Sequence, residues 1–309
     1  MTPARKQPER SAEKRGKSKK ADSSLKHQVL PGGILYVVAT PIGNMEDLSN
    51  RAKRVLGAVD LVASEDTRSV GVFLSRLGIK ARQTSLFEGN EIRKSEEIIR
   101  MLEEGDSVAL VCEAGTPGIS DPGSYLAAAV WNAGFSVTPV PGPCAAVTAL
   151  SASGFLNQKF FFEGFLPKIR SRRRNRLEKL SRIDATLVFY EAPGRLGRTL
   201  AEMTELFGPE RRAVVARELT KLYEEFSRDT LENLSKQYAN NPPRGEVTLL
   251  VEGFIADERI SSEELDALIL DGLKEGGESS SRLAARLAGE SGWPRRKVYE
   301  RVLELRDCD

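Results

Sequence analysis

Residues 107–133 read SVALVCEAGTPGISDPGSYLAAAVWNA, and this stretch decides the fold class. Ser107–Cys112 is mainly apolar and predicts a short buried strand. A loop with three glycines and two prolines follows, and Ser124–Ala133 then predicts a helix. A strand, a loop rich in glycine and proline, and a helix in this order are typical of one unit of an α/β sheet. In such sheets, ligands bind at the carboxyl ends of the strands.

The same alternation continues on both sides of this unit and predicts α/β layers with largely parallel sheets. The other predicted strands are Ile34–Ala39, Leu61–Ser64, Ser136–Val140, Phe160–Glu163, Thr186–Tyr190, Ala213–Ala216 and Val247–Val251. From Ser261 onward the pattern is helical. Two short helices around a glycine-containing turn there resemble a helix-turn-helix, and a plain helical cap explains them equally well.

The composition excludes several catalytic classes. The 309 residues include one histidine, His27, which rules out a histidine metal cluster, a Ser-His-Asp triad and histidine proton shuttling in the folded body. No metal site is predicted. Three cysteines without a CxxC pair indicate a reducing cytosol. No apolar run approaches the roughly 18 residues that cross a bilayer, so we expect a cytoplasmic protein without a membrane span.

Positive charge is concentrated in two segments. Residues 1–26 hold nine Lys or Arg against three Asp or Glu, and residues 1–31 are predicted to be a disordered basic tail. Lys168–Arg182 holds eight Lys or Arg and one Glu in an otherwise acidic body. An arginine-rich helix start opposes the helix macrodipole, which favours phosphate contact over a solvated face. The predicted RNA contacts are Lys168, Arg170, Arg172, Arg173, Arg174 and Arg176.

Three loops after predicted strands are candidates for ligand binding: Thr40–Asn44, Glu113–Gly123 and Pro139–Ala146. None has the GxGxxG or GxxxxGK[ST] pattern of nucleotide-binding loops. The hydroxyls and carboxylates of the second loop suit a polar or cationic small molecule. Glu65–Arg68, after another strand, could accept a proton, position a hydroxyl or cap the next helix.

Eight segments in fixed order carry a family resemblance. They span roughly residues 34–253 and read TPIGNMEDLSNRAKRVL, SEDTR, AGTPGISDPG, VPGPCAAVTALSASG, FFFEGFLP, FYEAPGRL, VVARELTK and GEVTLLVEG. Together they closely resemble the ribosomal RNA small subunit methyltransferase I family, a branch of the tetrapyrrole methylase superfamily. The segment after Ser261 is similar to a small helix-turn-helix domain often appended there.

The resemblance implies an S-adenosylmethionine-dependent enzyme that methylates the ribose 2′-hydroxyl of a cytidine in the decoding centre of 16S rRNA. It also implies a homodimer with two α/β domains of tetrapyrrole-methylase type, residues 32–143 and 144–256, the donor in the cleft between them, and a helical domain at residues 261–307. The implied donor site comprises Pro41, Gly43, Asn44, Glu113, Ala114, Gly115, Thr116, Pro117, Gly118, Ile119, Ser120, Asp121, Pro141, Gly142, Ala145, Tyr190 and Glu191.

Departures from the family pattern flank the expected RNA side. The family usually has histidines where this chain has Ser69, Phe87, Gly89 and Gly194. Glu65 or Asp66 is therefore the predicted proton acceptor, with Arg68 orienting RNA. Two alternatives stay open. One is a tetrapyrrole C-methyltransferase of the same superfamily, and the other is a non-catalytic rRNA-binding assembly factor that retains the donor pocket.

Overall fold

The computed structural model describes residues 30, 32–156, 159–255 and 260–306. The predicted tail, residues 1–31, lies outside the described residues apart from Leu30. The described residues group into two compact units, one within the ranges Met1–Ser181 and Ala185–Glu252, the other within Arg182–Asp184 and Gly253–Asp309. The first unit contains two β-sheets and the second is helical. No helix among the described residues is both long and apolar enough to span a membrane.

The first sheet is parallel throughout, and helices cover both of its faces. Its strands are β1 (Ile34–Val38), β2 (Leu61–Ser64), β3 (Gln83–Ser85), β4 (Val108–Leu110) and β5 (Ser136–Val140), in the order β3-β2-β4-β1-β5. Its helices are α1 (Asn50–Leu56), α2 (Thr67–Arg76), α3 (Glu91–Glu103) and α4 (Ser124–Asn132). Every residue of β2 and β4 is buried, as two-sided cover requires.

The covering helices change face between β1 and β4. Residues of α1 and α2 share a core with Val62 and Val111, whereas residues of α3 and α4 share a core with Leu61 and Leu110. Neighbouring β1 and β4 therefore lead into helices on opposite faces. Such a switch point opens a crevice at the carboxyl ends of the strands, which is where open α/β sheets bind ligands.

The second sheet differs from the prediction because it is mostly antiparallel. Its strands are β6 (Phe160–Phe165), β7 (Thr186–Glu191), β8 (Arg212–Arg217), β9 (Glu225–Thr230) and β10 (Val247–Val251), in the order β6-β7-β10-β8-β9. Among the described strands of this sheet, the β6–β7 pair alone is parallel. The expectation of largely parallel sheets is therefore right for the first sheet and wrong for the second. The segment Glu218–Glu224 joins β8 to β9 and is too short for a crossover, so these strands form a hairpin.

Four helices accompany the second sheet: α5 (Ala145–Ser151), α6 (Arg170–Leu180), α7 (Leu196–Phe207) and α8 (Leu231–Tyr238). A core of Ala146, Val188, Val214 and Leu250 joins α5 to the strands, and Ile42 from the loop after β1 belongs to the same core. The first sheet's loops therefore pack directly on the second sheet.

The helical unit is a bundle of α9 (Ser262–Glu275), α10 (Ser280–Ser291) and α11 (Arg295–Arg306) around its own apolar core. A capping box starts α9: the Ser261 hydroxyl accepts from the Glu264 N–H at 3.1 Å, and the Glu264 carboxylate accepts from the Ser261 N–H at 2.9 Å. Gly292, left-handed with φ of 72°, makes the turn between α10 and α11.

Candidate functional site

Three predicted loops meet at the switch point as one wall. They follow β4, β1 and β5, which are adjacent strands. Thr40 and Gly115 exchange backbone hydrogen bonds of 2.8 and 3.1 Å, and the Thr116 hydroxyl donates to the Pro143 carbonyl at 2.9 Å. The structure thus brings together most of the predicted donor residues, namely Pro41, Gly43, Asn44, Glu113–Asp121, Pro141, Gly142 and Ala145.

The wall needs glycine where two backbones approach. A Cβ at Gly142 would lie 2.9 Å from the Ala39 Cβ, and one at Gly43 would collide with Lys221. The second contact comes from the β8–β9 connection, which sequence reasoning did not assign to the site although its RELTK motif was visible. Thr220 there has φ of 65°, uncommon for a residue with a side chain, and its buried hydroxyl has no hydrogen-bond partner among the described residues.

Tyr190 on β7 joins the second sheet to this wall. Its hydroxyl accepts a hydrogen bond from the Ala146 N–H at 3.2 Å, and Phe162 and Phe165 meet its ring edge to face with centroids 5.0 and 5.7 Å away. Burial raises the pKa of the Tyr190 hydroxyl, and nearby Cys144 adds to the rise. Tyr190 is therefore a neutral phenol at physiological pH and acts by packing and hydrogen bonding rather than as a base.

Asp121 is a half-buried carboxylate in the loop after β4. Burial raises its pKa, and a hydrogen bond with Cys112 offsets part of that rise. Burial and the neighbouring Asp121 together raise the pKa of the Cys112 thiol to about 12. No Lys or Arg of the described residues contributes to the pKa of Asp121, so this carboxylate is available to a cationic ligand. The described residues hold no group of three or more His, Cys, Asp or Glu side chains arranged for a metal ion.

The side chain of Glu191 does not belong to this wall, although the predicted donor site includes the residue. Successive side chains of a strand point to opposite faces, so Glu191 points away from the face of Tyr190. Its carboxylate accepts from the Thr199 hydroxyl at 2.7 Å and from its neighbour's N–H, and it pairs with Arg195 at 3.2 Å. Buried and fully engaged, Glu191 anchors β7 to α7.

Glu65, Asp66 and Arg68 follow β2 at the same sheet edge as the wall, and β2 neighbours β4. Asp66 is the N-cap of α2, accepting from the Arg68 N–H at 2.8 Å and the Ser69 N–H at 3.4 Å. Its presence is thus explained by capping. Glu65 and Arg68 are both exposed, which leaves Glu65 as the free carboxylate of this group.

Glu91 is a positioning residue for the loop after β4. One carboxylate oxygen of this α3 residue accepts from the Gly123 N–H at 2.9 Å and the Leu126 N–H at 3.4 Å. The N-cap residue of α4 is Gly123, which has no side chain to cap the helix. Glu91 supplies the missing cap from another helix, and its negative charge lies at the positive end of the helix dipole. It thereby fixes the end of the Glu113–Gly123 loop.

The basic segment is largely neutralised in the fold. Arg173 is 2% exposed, and two of its nitrogens donate to the two carboxylate oxygens of Glu202 at 2.7 Å each. Its assignment as an RNA contact is wrong for that reason. Arg174 pairs with Glu205 at 2.7 Å and Arg176 with Glu163 at 2.6 Å.

Three of the six predicted RNA contacts remain candidates for binding phosphate. Arg170 is exposed and lies 3.6 Å from Glu202, whose carboxylate already serves Arg173. Lys168 and Arg172 are exposed, and no salt bridge within the described part of the chain involves either of them.

Comparisons with known proteins agree with this geometry. The family described as Tetrapyrrole (Corrin/Porphyrin) Methylases matches residues 34–235. Two relatives named ribosomal RNA small subunit methyltransferase I are similar over nearly their whole length. The Synechocystis protein is 42% identical, over 88% of this chain and 98% of its own, and the Pseudomonas aeruginosa protein is 44% identical, over 89% and 98%.

A solved structure supports the fold. Uroporphyrin-III C-methyltransferase from Thermus thermophilus, complexed with S-adenosyl homocysteine, superposes with a TM-score of 0.51 at 19% identity, covering 70% of this chain and 96% of that chain. This likeness and the family match confirm the predicted fold class.

Proposed function

This chain belongs to the ribosomal RNA small subunit methyltransferase I family, within the tetrapyrrole methylases, and we propose that it methylates 16S rRNA. In this proposal the methyl group passes from S-adenosylmethionine to the ribose 2′-hydroxyl of a cytidine in the decoding centre. The observation that carries the proposal is 42% identity to a relative of that name across 98% of the relative's length.

The three-loop wall suits the methyl donor, which supplies an activated methyl group on a sulfonium cation when bound. Gly43 and Gly142 keep the wall free of side chains where backbones approach. Asp121 offers an unpaired carboxylate to the positive charge, and Tyr190 closes the side towards the second sheet. The two sheets, within residues 32–143 and 144–256, would form the two sides of the donor cleft.

The acceptor hydroxyl must be held about 3 Å from the methyl carbon and in line with the departing sulfur. Its proton must leave during or after attack, and Glu65 is the proposed acceptor because it is the exposed carboxylate at the end of β2. Arg68, also exposed, would orient a phosphate of the RNA. Asp66 would support both indirectly by capping α2.

The test is to map ribose methylation on 16S rRNA. Small ribosomal subunits from a strain that lacks this protein are incubated with the full chain and S-adenosylmethionine, and rRNA fragments are weighed by mass spectrometry. One cytidine ribose should gain a methyl group. Glu65→Gln should slow single-turnover methylation without changing the affinity for S-adenosyl homocysteine. Asp66→Ala, which removes the cap of α2, is the control and should lower the melting temperature instead.

The alternatives give different outcomes in the same experiment. Tight binding of S-adenosylmethionine without methylation of either 16S rRNA or small subunits would favour a non-catalytic assembly factor. Methylation of a uroporphyrinogen or precorrin instead of RNA would favour a tetrapyrrole C-methyltransferase. We also expect a homodimer, as the family resemblance implies, which sedimentation equilibrium would detect.

A further inference from the structure

Phe165 is an exposed aromatic side chain beside the donor wall. It is the last residue of β6 and 59% exposed, and its ring meets the Tyr190 ring edge to face at 5.7 Å. The preceding residue, Gly164, touches the wall itself, because a Cβ there would lie 3.3 Å from the Ser120 hydroxyl oxygen. Phe165 therefore lies where the second sheet meets the loop after β4.

A β-bulge gives Phe165 this direction. Phe162 and Phe165 are three positions apart, so regular pleating would send them to opposite faces. The pairing of β6 with β7 shifts register between Phe162 and Gly164, and Gly164 has φ of 72°. Both phenylalanines consequently contact Tyr190. Bulges that re-aim a side chain are common next to active sites, and this one requires glycine.

The chain after Phe165 is held by two arginines, of which Arg173 is buried and Arg195 is partly buried. Arg195 donates to the Leu166 carbonyl at 3.0 Å, and Arg173 donates to the Pro167 and Lys168 carbonyls at 3.4 and 3.2 Å. These arginines are themselves paired with Glu191 and Glu202. An exposed ring at the start of a segment fixed in this way loses little conformational entropy when a ligand stacks on it.

We propose that Phe165 is the stacking platform for an unpaired base of the RNA substrate, the base of the target nucleotide or its neighbour. Proteins read single-stranded RNA by stacking unpaired bases on aromatic rings, while nearby cations contact the backbone. Lys168 and Arg172, both exposed, follow Phe165 within one helical turn of the start of α6. The inference rests on the proposed function and makes Phe165 a positioning residue for the acceptor ribose.

The test compares Phe165 with Phe160, which lies at the other end of β6 and is 47% exposed. Initial rates of methylation are measured against the concentration of undermethylated small subunits with Phe165→Leu, Phe165→Trp and Phe160→Leu. Phe165→Leu should raise the KM for subunits about tenfold or more, the loss typical of one base–aromatic stack. Its affinity for S-adenosyl homocysteine should stay within about twofold, because the ring is assigned to RNA. Phe165→Trp should restore the KM, and Phe160→Leu should leave it unchanged.

Other results would overturn the inference. If Phe165→Leu methylates subunits with a wild-type KM, the ring does not bind a base. If that variant instead loses affinity for S-adenosyl homocysteine, Phe165 belongs to the donor site. Melting temperatures of all three variants show whether each is folded. Phe165→Trp keeps a large aromatic side chain at this position, so it tests the need for a ring without leaving a cavity. Failure of the proposed function is distinct, since the wild-type chain would then methylate no subunits at all.

Discussion

Replacing Arg173 with methionine should destabilise the first unit strongly and leave the salt dependence of RNA binding unchanged. Arg173 is 2% exposed and forms a two-pronged ion pair with Glu202, both bonds being 2.7 Å long. Its third nitrogen donates to two carbonyls in the segment that leads into α6. Methionine fills similar space but donates nothing, so the Glu202 carboxylate would be left buried without its main partner.

Removing one partner of a buried ion pair typically costs about 3–5 kcal/mol. At about 2–4 °C per kcal/mol for a unit of this size, the melting temperature should fall by about 6–20 °C. The hydrogen bonds from Arg173 hold the pKa of Glu202 below its ordinary value. A carboxylate with a lowered folded pKa stabilises the fold above the unfolded pKa, about 4.3, and that contribution is lost as pH falls through the folded pKa. The difference between wild type and variant should therefore be full at pH 7 and shrink in acid below about pH 4.

Thermal unfolding followed by circular dichroism at pH 7 and at lower pH measures this difference. RNA affinity is measured well below both melting temperatures as a function of salt. Arg173→Met should keep the wild-type salt slope, whereas Arg172→Ala should reduce the slope by about one unit and leave the melting temperature within about 2 °C. The reasoning is refuted if Arg173→Met is as stable as wild type, or if it lowers the salt slope as an exposed phosphate contact would.

Three further perturbations concern the donor wall. Glu91→Gln, which weakens the cap on α4, should lower the affinity for S-adenosyl homocysteine several-fold by calorimetry, whereas Glu96→Gln on the exposed face of α3 should not. In wild type the affinity for S-adenosylmethionine should fall as pH is lowered towards the raised pKa of Asp121, and Asp121→Asn should remove that pH dependence. Since the pKa of Cys112 is about 12, iodoacetamide at pH 8 should modify it after unfolding but not before, as peptide mass mapping would show.

The strand ends that form the wall could be predicted because local signals agree there. Each has a β-branched run followed by a loop rich in glycine and proline, and a parallel sheet places all such ends at one edge. The antiparallel second sheet could not be predicted in the same way. Strand β9 reads EFSRDT, a mostly polar edge strand paired only with β8, so no apolar run marks it as a strand. When β9 is not recognised as a strand, the sequence gives no sign that β8 is part of a hairpin.

The direction of single side chains was harder still. Tyr190 and Glu191 are adjacent in one motif, yet one joins the wall and the other anchors α7. Because successive side chains of a strand point to opposite faces, the two residues must lie on different faces of the sheet. The motif does not indicate which of the two faces the wall. Phe165 shows the opposite problem, because regular alternation sends it away from Phe162 and only the register shift at Gly164 brings both to Tyr190. The available sequence signal was a glycine, Gly164, next to the apolar run of β6.

The charge of the basic segment could not be judged from the sequence alone either, because ion pairs within the fold neutralise part of it. The segment that begins at Lys168 counts as strongly basic along the chain, but its neutralising carboxylates lie outside it, on β6 and α7. The salt dependence of RNA binding comes from counterions that leave the RNA when protein cations neutralise its phosphates. A cation that stays paired with a carboxylate of the protein neutralises no phosphate, and therefore adds nothing to this salt dependence. Six such contacts would give the segment a slope of about five, whereas Lys168, Arg170 and Arg172 alone would give about two to three. Replacing these three residues with alanine should therefore lower the salt slope of RNA binding by about two to three. A wild-type slope in that variant would mean that the segment contacts phosphates through cations whose internal ion pairs open when RNA binds.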